Sequence, residues 1–133
     1  MHDCENEVFD RVSEVLRERF PGIDVSSMYV RTPTSFPHVS FVMSNLDTLR
    51  TLQTQNLREE FSRAVFDINI YSNDPMRKKS ICKEISHAID EVLMSMNFNR
   101  VYLRPVENFE DVDIYRIVAR YRVATDGKYF YRR

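Results

Sequence analysis

Residues 61–73, FSRAVFDINIYSN, constrain the fold more than any other part of this chain. Ala64, Phe66, Ile68 and Ile70 alternate with Arg63, Val65, Asp67, Asn69 and Tyr71. Successive side chains of a strand point to opposite faces, so this alternation describes a long β-strand with one buried side. Asp74-Pro75 follows. A side-chain acceptor ahead of a residue that needs no N–H partner reads as a helix start, with Asp74 as cap and Pro75 as first residue. Ile81, Ile85, Ala88, Ile89, Val92, Leu93 and Met96 then recur at helical spacing and carry the helix to about residue 96. A strand feeding directly into an amphipathic helix is scaffold, and nothing in it is placed for catalysis.

The rest of the chain can be read around this unit. Val8, Phe9, Val12, Val15, Leu16 and Phe20 form an apolar stripe, predicting a helix over residues 4–20 with Asp3 as its cap and Pro21-Gly22 as its stop. Residues 23–31 alternate weakly and are polar, which suits a strand at a sheet edge. A loop with Pro33 and Pro37 leads to a strand over residues 38–44, with Val39, Phe41 and Met43 on one side. Residues 45–60 are polar and free of glycine and proline. They read either as a weak helix carrying Leu46, Leu49, Leu52 and Leu57 or as a mobile loop ordered by a neighbour. A short strand over residues 100–104 and an acidic loop over 106–111 come next. A long strand over 112–125 follows, with Tyr115, Ile117, Ala119, Tyr121 and Val123 on one face. Asp126-Gly127 is a hairpin signal before a short strand at 128–132.

At 133 residues the chain suits a single domain, residues 1–133, which buries roughly two-thirds of its unfolded surface. The element order gives an α+β fold: a mainly antiparallel β-sheet with two amphipathic helices packed on one face. Phe66, Ile68, Ile70, Ile117 and Ala119 are expected to meet Val12, Leu16, Ile85, Ile89 and Val92. The opposite face carries Tyr71, Val65, Ile114, Val118 and arginines. It is too polar for a second core and too apolar for plain solvent surface, so it suits a partner.

Chemistry is sparse. Two glycines leave no phosphate-binding loop, and the acidic start MHDCENEVFD is unlike a signal peptide. No apolar run reaches membrane-spanning length, so no membrane partner is expected. A net charge of −1 gives little grip on free nucleic acid, whose binding domains carry a basic excess. Cys4 and Cys82 fit no zinc spacing, and Cys82, inside an apolar helix, reads as a buried reduced thiol. His2, His38 and His87 are not placed beside a nucleophile. Glu107, Glu110, Asp111 and Asp113 cluster, but without the glycine and ligand spacing of a calcium loop. No catalytic, cofactor-binding or metal-ligating residue is assigned, and no enzyme activity is expected. Tyr71, Arg116, Arg120, Tyr129, Phe130 and Tyr131 are candidate subunit-interface residues, because aromatics and arginine are enriched at interfaces.

Four segments taken together carry a resemblance: RTPTSFPHVS at residues 31–40, FDINIYSN at 66–73, MNFNR at 96–100 and IYRIVARY at 114–121. In this order and spacing the chain resembles small tail-terminator or tail-completion proteins of long-tailed phages, over about residues 5–125. Asn97 departs from the pattern, standing where a glycine is expected after the second helix. The resemblance implies a virion structural protein, assembled in the host cytoplasm and placed at the head–tail junction. It further implies a self-assembled ring, a hexamer, that caps the tail tube protein and joins it to the head–tail connector protein. The genome would then slide through the lumen without specific binding. A basic lumen would hold DNA, so the acidic loop with Glu107, Glu110, Asp111 and Asp113 is the candidate lumen surface, with Asp47, Glu59 and Glu60 of the 45–60 segment as the equal alternative. A head-completion or adaptor protein is the neighbouring alternative. A small metal-dependent hydrolase or nucleic-acid-processing enzyme using the Asp111 cluster is the alternative from another class.

Overall fold

The computed structural model describes residues 4–50, 60–107, 113–125 and 129–131. Among them the elements run α1 (Glu5–Arg19), β1 (Asp24–Ser26), β2 (His38–Arg50), β3 (Glu60–Ser72), α2 (Lys78–Ser95), β4 (Asn99–Val106), β5 (Tyr115–Thr125) and β6 (Phe130–Tyr131). The strands form one sheet in the order β1-β2-β3-β5-β4, with β6 also pairing β5. Every pairing is antiparallel except β1 with β2. The fold is α+β, as its element order predicts.

Both helices lie on one side of the sheet. Three cross-strand rows face them: Val39–Ile70–Ile117, Phe41–Ile68–Ala119 and Met43–Phe66–Tyr121. The Phe9 ring of α1 packs 6.5 Å from Phe41, and the Tyr121 hydroxyl donates to Asp90 of α2 at 2.7 Å. Val12, Leu16, Ile85 and Ile89 are buried in the same cluster as Phe66, Ile68, Ile70, Ile117 and Ala119, with Val92 packed against it. Aromatic rings cross this core in series, from Phe9 through Phe41, Phe66 and Phe98 to Phe130. That chain of contacts ties the first helix to the last strand.

The helix ends follow local chemistry. The Ile23 N–H donates to the Phe20 carbonyl at 3.1 Å and Gly22 sits at φ 88°, the pattern of a type II turn with Pro21 in its preferred place. At α1's start the cap position falls to Cys4, which makes no side-chain cap bond, and Asp3 lies outside the described residues. Asp74 Oδ1 accepts from the N–H groups of Met76 and Arg77, both at 2.9 Å, and these bonds hold its carboxyl below the ordinary value. The regular helix begins only at Lys78, so Asp74 caps a lead-in turn and Pro75 is not the first helical residue. At the other end Asn97 replaces the expected glycine and takes the same left-handed conformation, φ 66°. Its N–H donates to Met94, and the Phe98 N–H reaches back to Leu93, both of whose side chains are fully buried. That is the Schellman arrangement, and asparagine tolerates it better than other non-glycine residues.

A longer stretch also departs from expectation. Residues 45–50 are neither helix nor loop; β2 continues through them to Arg50, paired with β3 as far as Glu60. The reason lies in Leu46, which pairs with Ala64 and packs against the core, while a bulge at Ser44 restores the inward register. Polar composition concealed a strand whose partner supplies the burial. Residues 51–59 lie outside the described set. β1 is an edge strand as expected but is shorter than residues 23–31.

Candidate functional site

The sheet face turned away from the helices carries most of the polar side chains of the strands. Its register stacks His38–Tyr71–Arg116–Val106, then Ser40–Asn69–Val118–Arg104, then Val42–Asp67–Arg120–Tyr102. Arg116 and Arg120, candidates from the sequence, come together here because they are two apart on β5.

Each arginine is held by its neighbours. Arg120 forks onto Asp67, with Nε to Oδ1 at 2.7 Å and Nη2 to Oδ2 at 3.2 Å, and this bond raises the guanidinium above its ordinary value. Arg116 places Nε and Nη2 on Asn69 Oδ1 at 3.1 and 2.6 Å, and lies over the Tyr71 ring at 5.5 Å. The guanidinium groups of Arg104 and Arg120 both lie against Tyr102, at 4.7 and 5.6 Å from its centroid. Planar cations stacked on rings and held by Asp67 and Asn69 are pre-ordered, the kind of group found in interface ion pairs and in phosphate and nucleic-acid recognition. Between them is a shallow hollow of about 520 Å³ whose apolar lining comes from Tyr29, Val42, Val106 and Val118.

One end of this face is closed. The segment between β1 and β2 folds over it, tied by Ser40, whose Oγ donates to the Met28 carbonyl and accepts from the Val30 N–H, both at 3.1 Å. His38 stands between Asp24 and Ser40, with Nδ1 2.9 Å from Asp24 Oδ2 and Nε2 3.4 Å from Ser40 Oγ. The series has the order of an acid–base–hydroxyl relay. Ser40 is fully buried, however, and its one hydrogen is already directed to Met28, so the array works as an anchor for the loop. His38 and Ser40 share a face because they are two apart on β2; sequence reasoning missed the array because Asp24 joins them only through the parallel pairing of β1 with β2.

Two candidate residues need correction. Tyr71 is 1% exposed, so it is interior packing beneath the closed end rather than a contact surface. Phe130 packs its ring 6.1 Å from Phe98 and is half-buried, because β6 hydrogen-bonds to the end of β5 and turns that side chain inward. Tyr129 and Tyr131 do point outward, at 55% and 36% exposure. In the acidic loop Glu107 and Asp113 are exposed, and the Asp113 carbonyl accepts from Lys78 Nζ at 3.2 Å. Glu110 and Asp111 lie outside the described residues. Among the described residues no three His, Cys, Asp or Glu side chains gather as a metal site, and no helix is long and apolar enough to cross a membrane. Cys82 is buried and reduced as expected; burial pushes its thiol up to about 12.

No family model and no curated protein matches the chain. A solved structure does: a chain from the virion of a native gene transfer agent particle, at TM-score 0.55 and 10% identity, covering 89% of this chain and 88% of that one. The two share a fold over nearly their whole lengths.

Proposed function

We propose that this protein is a virion structural protein, a ring-forming tail-terminator or tail-completion protein that caps the tail tube and joins it to the head connector. The observation that carries the reading is the near full-length fold likeness to a chain of a virion particle, reached independently of the sequence segments that resemble tail terminators. The pre-ordered arginine and tyrosine groups of the outer sheet face support it, because they offer a surface suited to protein contact rather than a reaction centre. In this reading the subunits form a closed six-fold ring by head-to-tail contacts. Glu107, Glu110, Asp111 and Asp113 face the lumen, where negative charge keeps DNA from adhering as it passes. A head-completion adaptor is the neighbouring reading in the same assembly, and differs in binding the connector but not the tube.

The test is assembly on purified tubes. The protein, mixed with the tail tube protein of its virion, should form six-fold rings at tube ends in negative stain. Persistent monomer in that mixture sinks the reading. Rings that bind connector and ignore tubes favour the adaptor. For the lumen, replacing Glu107, Glu110 and Asp111 with lysine should leave particles assembled but slow genome ejection, and ejection at the parental rate would remove that role.

A further inference from the structure

The outer sheet face and the first helix expose opposite charge on one chain. Among the described residues the outer rows hold Arg63, Arg104, Arg116, Arg120 and Arg122 against Asp24, Asp47 and Asp67, and Asp24 is turned to His38. Asp67 is already forked onto Arg120, and Asn69, which meets Arg116, brings no charge. Arg104 and Arg122 are exposed. On α1, Val8, Val12 and Leu16 face the core, so Glu7, Asp10 and Glu14 fall on the opposite stripe, all exposed, with Arg11 and Arg17 to either side. Arg19, at the helix end, is paired with Glu91 of α2.

We propose that the outer sheet face of one copy receives the acidic stripe of α1 from a second copy, in a head-to-tail contact between unlike surfaces. This rests on the ring-forming reading and names the two surfaces that close the ring. Spacing agrees with it. Glu7 to Glu14 spans about 10 Å along a helix, and Arg104 to Arg122 spans about 14 Å along the sheet, within reach of flexible side chains. The hollow beside Arg116, with Tyr29 and Tyr102 at its rim, gives the contact an apolar floor. Because each copy carries both halves, the contact does not use itself up: every bound copy presents a free partner surface, and the chain of contacts ends only on closure. Exposed charges of this kind set register and association rate, so the contact weakens as salt rises.

Charge reversal tests it on the isolated protein. One variant carries Glu7→Lys, Asp10→Lys and Glu14→Lys; the other carries Arg104→Glu and Arg122→Glu. All five side chains are exposed, and cooperative thermal melts check that each variant folds. In sedimentation each variant alone should associate at least about tenfold more weakly than the parent, since like charges then face each other. An equimolar mixture should recover association by alternating the two, and lose it in high salt. Arg104→Lys with Arg122→Lys should associate like the parent. Parental association by both reversed variants, or a mixture that stays monomeric, overturns the inference; rings of parent protein in the same experiment leave the ring reading standing. A mixture that associates without any closed ring keeps these surfaces and removes the ring. An arginine reversal that abolishes retention of a duplex DNA probe and leaves self-association unchanged assigns the face to nucleic acid and overturns the proposal.

Discussion

The two faces of the sheet are made by the same strands and differ in what holds them. On the helix side Phe41, Phe66, Ile68 and Ile117 are closed off by apolar side chains of α1 and α2, and packing alone keeps them in place. On the outer side the same strands present Asp67, Asn69, Arg116 and Arg120, held by hydrogen bonds and by stacking on Tyr71 and Tyr102. Burial on the first face is non-directional and scales with area. Order on the second is directional, and its strength is diluted by water wherever the side chains are exposed. Such a surface keeps its shape while remaining available, which a face closed by apolar packing cannot do.

That contrast can be broken by mutation. Ile68→Ala, on the helix side, should destabilise the protein by about 2–5 kcal/mol, while Val118→Ala, half-exposed on the outer side, should cost about 1 kcal/mol or less. Equal shifts in urea midpoints would show that the outer face is as closed as the core. Ser40→Ala probes the closed end of the outer face. It removes the shared partner of Met28 and Val30, and an expected loss of about 1–3 kcal/mol should come with faster proteolysis within residues 27–37. A loop as resistant as the parent's would show that Ser40 is not its anchor. Smallest is the Arg120–Asp67 pair, partly exposed on both sides. A double-mutant cycle should give a coupling of about 1 kcal/mol or less, and a larger value would mean that the outer face is held more like a core.

Much of the helix side was legible in the chain because periodicity reports burial directly. Alternation in residues 61–73 and the stripes of α1 and α2 each name their inward residues without reference to a partner. The outer face was legible only in part. Arg116 and Arg120 could be placed on it from β5 alone. Their fork onto Asp67 and hydrogen bonds to Asn69 depend on the β3–β5 register, which brings together residues roughly fifty positions apart. Tyr71 was misplaced for the same reason: its position on the outer face follows from alternation, but its burial comes from elsewhere in the fold.

The chain by itself therefore determined where the two helices and the long strands β3 and β5 lie and which side of each is apolar, since these depend on residues within a few positions of one another. The tertiary structure decided that residues 45–50 extend a strand, that Asp24, His38 and Ser40 form a loop anchor, and that the arginines of β5 are stacked and forked into a surface. Each of those depends on pairing between distant segments. A polar sequence does not announce such pairing, because its hydrogen bonds are satisfied equally well by water until the partner strand arrives.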